Sequence, residues 1–314
     1  MFFPKKEIVK RYKNNPIITG DDIPNFSARA VYNSGITKFN GKYLMLMRVE
    51  SINKKQCFWV ATSNDGYKFD IEDRAIDIVI PDLFKEEYQL STSGMIYDPR
   101  ITKIGDIYYI FYACHGAMGS RIGLAKTKDF KNLEFVAFGS TVYNRNAVLF
   151  PEKINGLYCR LERPSASEHE LGAMWLSYSP DLIYWGKSQP VATGSHTSWE
   201  WKKIGAGAPP IRTKEGWLEI YHAVYGIVTI EVYQLGAMLL DLNDPSKVIA
   251  RTKAPILYPK EVYERVGEAP NVVFTSGAIL EDDGEVKIYY GACDTVQCVA
   301  TARVEDLIDA CYNR

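Results

Sequence analysis

The chain has 314 residues, with 37 Lys and Arg against 38 Asp and Glu and a formal net charge of −1 at pH 7. Because acidic and basic residues balance, no strong field draws the protein to nucleic acid or to an anionic membrane surface. The length allows one large or two ordinary domains, and the 46% apolar and 13% aromatic content suits a β-sheet protein.

The N-terminal segment MFFPKKEIVKRYKNNP lacks the apolar core of a secretory signal. No stretch of the chain approaches the roughly 18 apolar residues of a membrane span. We therefore expect a cytoplasmic protein with no membrane partner. The next segment, NNPIITGDDIP, is punctuated by Pro and Asp, which predicts an extended entry strand and a turn rather than a helix.

A two-strand phrase then recurs five times, and each copy breaks at a Gly or Asp turn between two apolar runs. The copies are GITKFNGKYLMLMR, RITKIGDIYYIFYA, AVLFPEKINGLYCRL, PPIRTKEGWLEIYHA and GAILEDDGEVKIYYGA. Each copy is followed by a second alternating phrase, such as FWVATSNDGYKF from Phe58. Two hairpins repeated five times predict an all-β fold, a five-bladed β-propeller in which residues 1–314 form a single domain.

Long connections and helices are scarce in this pattern. The segments 71–96 and 193–208 are predicted to be long loops, and the second, which contains SHTSWEWKKIGAGAPP, is either a ligand-facing loop or an ordinary crossover between blades. Only the C-terminal VEDLIDACYNR predicts a short helical turn, with Val304, Leu307, Ile308 and Cys311 on one face. Closure of the ring is expected to bring the termini together.

The cysteine spacing favours free thiols over the alternatives of a disulfide framework or a zinc site. The cysteines are scattered without a CxxC pair, which favours packed free thiols, at positions Cys57, Cys114, Cys159, Cys293, Cys298 and Cys311. No Walker loop, Rossmann glycine fingerprint, HExxH or GxSxG motif is present. The sequence therefore predicts neither a metal site nor an organic cofactor.

Polar residues recur where successive repeats begin, in the phrases NSG, YDPR, NRNAVLFPEK and KIGAGAPPI. In a propeller these positions converge on the axis. Asp98 of YDPR is the strongest candidate for an acid, since the following proline is expected to hold its backbone extended and give its carboxylate a fixed direction. The alternative is an ordinary turn residue.

Cationic residues are also interleaved with the apolar strands, where solvated charges are not expected. They are Arg48, Arg145, Arg160, Arg163 and, as a further donor, His222. One such arginine is usually a salt-bridged structural residue. Several brought to one axis would form a pocket for a tetrahedral oxyanion such as phosphate, because a guanidinium presents a planar fork of donors.

The chain resembles glycoside hydrolase family 130, the β-mannoside phosphorylases and related β-mannosidases. The resemblance runs through NPIIT, YDPRITKI, NAVLFPEKINGLYCRLERP, KIGAGAPPI, LLDLNDPSKVIAR, PNVVF and YYGACDT, in this order and over nearly the whole chain. It implies a five-bladed propeller, in agreement with the repeats. It also implies a sugar substrate, and propellers of this family often associate, so a homo-oligomer is an open alternative.

The resemblance assigns roles to individual residues. Asp98 matches the proton donor of the family, which acts through the 3-hydroxyl of the mannose being cleaved. The positions that match mannose-binding residues are Asn33, Ser34, Arg48, Lys203 and Asp294. Those that match the phosphate pocket are Arg145, Arg163, His222 and Tyr233, with Asn146 beside them.

Two of these positions separate phosphorolysis from hydrolysis. An inverting hydrolase needs a carboxylate base to activate water, whereas a phosphorylase uses bound phosphate as its nucleophile. Hydrolytic members of the family carry acidic residues where this chain has His222 and Tyr233. The resemblance thus favours a β-mannoside phosphorylase with inorganic phosphate as co-substrate and β-1,2 or β-1,4 linkage left open. The alternatives are a β-mannosidase and a non-catalytic sugar-binding propeller.

Overall fold

The structure, a computed structural model, describes residues 7–165, 172–194, 198–227 and 230–314. Within these residues the chain is almost all β, and its strands form five sheets arranged as the blades of a propeller. The predicted fold is therefore confirmed.

Strand β1 spans Lys10–Arg11 and is followed by a 3₁₀ turn at Gly20–Asp22. Blade 1 contains strands β2–β5, which span Ala28–Phe39, Lys42–Ser51, Gln56–Ser63 and Asp70–Ala75. Blade 2 contains the short strand β6 and strands β7–β10, which span Ile78–Val79, Ile96–Ile104, Ile107–Gly116, Gly119–Thr127 and Leu133–Phe138. Strand β6 adds to the outer edge of blade 2 by pairing in parallel with β10.

Blade 3 contains strands β11–β14, which span Asn144–Leu149, Tyr158–Pro164, Met174–Ser179 and Gly186–Ala192. Blade 4 contains strands β15–β19, which span Lys203–Ala206, Ile211–Arg212, Trp217–Ile227, Ile230–Leu240 and Val248–Arg251. Blade 5 contains strands β20–β22, which span Val273–Leu280, Glu285–Ala292 and Val296–Arg303.

The N-terminal strand completes the last blade. Lys10 and Arg11 of β1 pair antiparallel with Thr301 and Ala300 of β22, so the two ends of the chain close the ring together. This pairing confirms the predicted approach of the termini. It also removes a free sheet edge from blade 5, because the first strand covers it.

Apolar side chains fill the spaces between successive blades. In strand β3, Leu44 and Leu46 pack against blade 2, whereas Met45 and Met47 belong to the core shared with blade 5. This separation follows from the two-residue period of a β-strand, which sends neighbouring side chains to opposite faces. Because both faces of each blade are buried, the strands carry nearly continuous apolar runs.

The long connection before β7 differs from the prediction of a loop. It contains a 3₁₀ turn at Asp82–Phe84 and helix α1 at Lys85–Thr92, and Tyr88 packs its ring 5.2 Å from that of Phe135. The eight-residue sequence KEEYQLST has too few apolar residues to display a helical period. A contact with blade 2 therefore stabilises a helix that the local sequence does not predict.

Two further helices lie near the C-terminus. Helix α2 spans Val262–Arg265, and helix α3 spans Val304–Tyr312. The predicted apolar face of α3 is confirmed, because Leu307, Ile308 and Cys311 are buried against the core between blades 4 and 5. All six cysteines carry free thiols. No helix in the described residues is long and apolar enough to cross a membrane.

The innermost strands carry irregularities that aim side chains at the axis. The pairing register shifts after Tyr32 in β2, after Tyr97 in β7 and after Arg145 in β11. In each case the next residue has a left-handed backbone, with φ of 49° at Asn33, 53° at Asp98 and 59° at Asn146. These are β-bulges, and Asn and Asp tolerate the left-handed region better than most residues.

The expectation of an extended backbone at Asp98 was therefore wrong. Proline disfavours the helical region for the residue before it, but the bulge places an extra residue in β7 and reverses the sign of φ at this position. The fixed direction of the carboxylate comes from a bulge held by tertiary contacts, and not from the proline alone.

Candidate active site

A cavity of about 580 Å³ opens on the axis, where all five blades contribute side chains. Its lining consists of Asn33, Arg48, Tyr97, Asp98, Arg145, Asn146, Arg163, Glu231, Tyr233, Ala269, Pro270, Asn271, Val272, Phe274 and Asp294. The propeller thus brings together residues that are far apart in the sequence.

Asp98 is held through one of its two carboxylate oxygens. Asn33 Nδ2 and Arg48 Nη1 both donate to Oδ1, at 3.0 and 2.7 Å. Within the described residues Oδ2 has no hydrogen-bond partner, although the side chain lines the cavity. The arrangement fixes the carboxylate by Oδ1 and leaves Oδ2 for a ligand.

Arg48 is fixed between two aromatic rings. Its guanidinium carbon lies 4.0 Å from the ring centroid of Tyr32 and 5.0 Å from that of Tyr97. Burial opposes the charge on Arg48, but Asp98, Tyr32 and Asp294 together outweigh this effect and raise the pKa of the guanidinium. Arg48 is therefore a permanent cation with a fixed orientation.

Asp294 is the second carboxylate of the cavity, and its environment differs from that of Asp98. Burial raises the pKa of Asp294 to about 6, and the like charge of Asp98 adds to this shift while Arg48 opposes it. Its backbone is also left-handed, with φ of 50°. Asp294 is thus a carboxyl group whose charge changes near neutral pH.

The blade 3 side of the cavity is cationic. Arg145 and Arg163 face each other across the β11–β12 pair, and Asn146 lies at the bulge beside them. Burial lowers the pKa of Arg163 to about 10, and Arg145 and Arg100 add to this effect. No carboxylate in the described part of the chain lies within ion-pair distance of Arg163, so its charge is available to an anion.

His222 lies behind this cationic surface and does not line the cavity. Its Nδ1 bonds to the carbonyl oxygen of Ala206 at 3.2 Å, so Nδ1 carries the proton, and Nε2 accepts a 2.8 Å hydrogen bond from Arg163 Nη1. Burial lowers the pKa of His222 well below its usual value, and Arg163 adds to this shift. His222 is therefore a neutral acceptor that orients Arg163.

Lys203 also lies at the edge of the cavity and not in its lining. Its Nζ is 3.6 Å from Oε2 of Glu231, and Lys202 forms a short ion pair with Oε1 of the same carboxylate. Burial opposes ionisation of Glu231, but Lys202 and Lys203 lower its pKa. Burial raises the pKa of the neighbouring Tyr233 to about 12, which keeps its hydroxyl a neutral donor.

Of the predicted site residues, eight line the cavity: Asn33, Arg48, Asp98, Arg145, Asn146, Arg163, Tyr233 and Asp294. Ser34 lies outside the lining, fully buried, and its backbone N–H donates to Gln297 Oε1. Arg160 also lies outside the lining, and its guanidinium forms an ion pair with Glu162 at 2.6 Å.

The sequence interpretation missed seven lining residues, of which four are aromatic or polar: Tyr97, Glu231, Asn271 and Phe274. Tyr97 and Asn271 stand in the phrases YDPR and PNVVF, which were already singled out, so membership of these phrases was the available signal. Glu231 and Phe274 occupy ordinary strand positions that carry no such signal. In the described residues no group of three or more His, Cys, Asp or Glu could hold a metal ion.

The cavity therefore has two chemically different sides. One side presents carboxylates, an amide and Arg48, the groups that hydrogen-bond the hydroxyls of a sugar. The other presents Arg145 and Arg163, which suit an anion with several oxygens. A neutral polar ligand and an anion can thus be bound next to each other.

Comparisons with known proteins agree with this arrangement. The family model described as beta-1,4-mannooligosaccharide phosphorylase, Glyco_hydro_130, matches residues 3–313. A beta-1,4-mannooligosaccharide phosphorylase of Ruminococcus albus is 37% identical over 97% of this chain and 91% of its own. A 1,2-beta-oligomannan phosphorylase of Thermoanaerobacter sp. is 36% identical over 95% of this chain and 98% of its own.

A solved structure shares the fold over its whole length. The beta-1,2-mannobiose phosphorylase from Listeria innocua, in complex with beta-1,2-mannobiose, superposes with a TM-score of 0.87 and 29% identity. The superposition covers 98% of this chain and 99% of that one.

Proposed function

The chain belongs to glycoside hydrolase family 130, a family of mannoside phosphorylases, and we propose that it is an inverting β-mannoside phosphorylase that forms α-D-mannose 1-phosphate. The observation that carries this proposal is the presence of an anion site in the same cavity as Asp98. Arg163, which lacks a carboxylate partner in the described residues, faces the space beside that acid.

The terminal mannose is proposed to bind on the side of blades 1, 2 and 5. Asn33, Arg48 and Asp294 offer donors and acceptors to its hydroxyls, and Asp98 Oδ2 is directed to the 3-hydroxyl. Lys203 and Ser34 support this subsite from outside the lining. Arg48 contributes most to orientation, because Tyr32 and Tyr97 fix its plane.

Phosphate is proposed to bind to Arg145, Asn146, Arg163 and Tyr233. A phosphate dianion in this place is attracted by the two guanidinium groups, and the fork geometry of arginine gives it a defined orientation. His222 acts on the phosphate through Arg163. No organic cofactor enters the proposal.

The chemical step follows from this placement. An oxygen of phosphate attacks the anomeric carbon of mannose on the face opposite the leaving group, while the bond from that carbon to the glycosidic oxygen breaks. Asp98 gives its proton to the 3-hydroxyl, which passes its own proton to the leaving oxygen. The sugar phosphate then releases its remaining acidic proton, which restores Asp98. The net reaction consumes one phosphate and yields a shortened acceptor.

Hydrolysis would require a carboxylate that is free to activate water. Glu231 is a lining carboxylate on the same strand as Tyr233, but its oxygens are engaged by Lys202 and Lys203, and these ammonium groups lower its pKa. A base with a lowered pKa and occupied oxygens is poorly suited to remove a proton from water. This environment favours phosphorolysis over the β-mannosidase alternative.

The test incubates the protein with β-1,4-mannobiose or β-1,2-mannobiose, each with and without inorganic phosphate. Both linkages are needed because relatives of 37% and 36% identity act on β-1,4 and β-1,2 mannosides respectively. We expect consumption of one disaccharide only when phosphate is present. Release of mannose independent of phosphate would support a hydrolase, and no consumption of either sugar would support a binding protein.

A further inference from the structure

The backbone of Asp98 is in a conformation that needs external support. Its φ of 53° lies in the left-handed region, and it is followed by Pro99, which has no N–H to contribute to a ladder. Residues other than glycine persist in such conformations when surrounding contacts determine them. The left-handed backbone of Asp98 therefore depends on a neighbouring side chain.

Arg100 makes the relevant contact. It is 1% exposed, and its Nη1 donates to the carbonyl oxygen of Asp98 at 2.8 Å. Its Nε donates to the carbonyl oxygen of Gly207, at 2.9 Å, in the chain segment between β15 and β16 of blade 4. One guanidinium thus ties the bulge of blade 2 to a backbone carbonyl of blade 4.

The other end of this connection is fixed as well. Gly207 N donates to Oε1 of the fully buried Glu219 at 2.9 Å. A Cβ at Gly207 would lie 2.3 Å from the carbonyl oxygen of Ile220 and 2.6 Å from Thr275 Cγ2, so only glycine fits. The peptide that anchors Arg100 is therefore held on both sides.

Arg100 and Glu219 do not form an ordinary buried ion pair. Within the described residues Arg100 Nη2 and Glu219 Oε2 both lack hydrogen-bond partners, and each residue uses its other polar atoms on backbone groups. Arg160 differs in that its equally buried guanidinium bonds directly to Glu162, although its Nη1 also has no hydrogen-bond partner in the described part of the chain. Arg100 and Glu219 therefore direct their polar atoms to backbone groups and not to each other.

We propose that Arg100 is a positioning residue for the reaction, which holds the backbone of Asp98 in the left-handed conformation that aims its carboxylate, and that Glu219 and Gly207 form its anchor. The proposal rests on the proposed function, because it gives Asp98 the role of the acid. It predicts that loss of the Arg100 contacts lowers turnover without weakening the binding of phosphate or of the mannoside.

The test compares Arg100→Lys with Arg160→Lys. Both changes keep the charge in a fully buried site and remove the fork, but only the first alters contacts with Asp98. For R100K we expect kcat to fall by about 10- to 100-fold, since a displaced catalytic group costs this much, while KM for phosphate and for the mannoside stays within a few-fold. R160K should keep its kcat after correction for the folded fraction.

A second pair of variants examines the anchor. Glu219→Gln keeps an oxygen that accepts from Gly207 N and should retain nearly all of kcat, whereas Glu219→Ala should lose as much as R100K. Unchanged kcat in R100K, equal losses in R100K and R160K, or a rise in KM alone would overturn the proposal.

A crystal structure of R100K gives a readout that does not depend on activity. We expect the Asp98 peptide to leave the left-handed region, and a φ that stays near 53° would overturn the proposal. If the wild-type protein proves inactive on mannosides, the proposed function fails, whereas the structure of R100K still decides whether Arg100 holds this backbone.

Discussion

Arg163 donates a 2.8 Å hydrogen bond from Nη1 to Nε2 of His222, and His222 is fully buried behind it. The arginine faces the cavity and the histidine does not. A neutral histidine therefore fixes the orientation of the group that we propose to bind phosphate, which separates the two residues into a ligand and its support.

The first prediction concerns His222→Phe. This change keeps an aromatic ring against Phe274, whose centroid is 4.6 Å away, but removes the acceptor for Arg163. We expect KM for phosphate to rise by about 10- to 100-fold, the usual effect of losing a hydrogen bond to a charged group, with a much smaller change in KM for the mannoside. Initial rates at varied phosphate measure it. An unchanged KM for phosphate would show that Arg163 needs no support.

The second prediction concerns Arg163→Lys. A lysine has one ammonium group, which cannot contact His222 and an anion in the geometry of a guanidinium. Excess phosphate should raise the melting temperature of the wild-type protein by a few degrees through binding to the folded state. The same concentration of phosphate should leave the melting temperature of R163K nearly unchanged. Arg160→Lys is the control, because Arg160 lies away from the cavity, and an equal phosphate shift in R163K and wild type would refute the assignment.

The third prediction concerns Asp98→Asn. Asparagine keeps an Oδ1 acceptor for Asn33 and Arg48 and tolerates the left-handed backbone, so the fold should be preserved. It cannot donate the proton, and we expect kcat to fall by about 10²- to 10⁴-fold. The thermal shift caused by phosphate should remain. A D98N protein with near-native turnover would remove Asp98 from the role of acid.

The fourth prediction is a pH dependence carried by Asp294. Burial holds its pKa at about 6 in the folded protein, above the ordinary value of 3.8. The folded state therefore binds a proton that the unfolded state has released, so this contribution to stability is complete below pH 3.8 and is lost as the pH rises through 6.

Asp294→Asn tests this shift because asparagine does not titrate. Between about pH 4 and pH 7.5 the free energy of unfolding of D294N should gain on the order of 3 kcal/mol relative to wild type, the equivalent of about two pKa units. Denaturant unfolding at both pH values measures the difference. If the difference in the free energy of unfolding between D294N and wild type is the same at both pH values, the raised pKa of Asp294 is contradicted.

The sequence predicted the ring because its signal is repeated and local. Each hairpin has a turn between alternating strands, as in the run from Leu44 to Met47, whose side chains divide between two cores. Helix α1 was missed because its stability comes from the packing of Tyr88 on blade 2 and not from its own eight residues. Local periodicity contains no information about such a contact.

The site was predicted less completely, for a related reason. Charged residues in unusual places, such as Arg163, are visible in a sequence, whereas the aromatic wall formed by Tyr97 and Phe274 looks like ordinary strand. The backbone of Asp98 was predicted incorrectly because the bulge depends on the pairing of β7 with β8. It also depends on Arg100, which lies in β7, contacts the Asp98 carbonyl and reaches across the axis to Gly207. These are tertiary effects.

The most direct test of the central claim, that phosphate is the nucleophile, is ³¹P NMR of the wild-type protein acting on its mannobiose in limiting phosphate. We predict that inorganic phosphate disappears in a one-to-one ratio with the disaccharide and that the signal of an α-linked mannose 1-phosphate takes its place. Release of two free mannose molecules for each disaccharide consumed, with the phosphate signal unchanged, would contradict the account.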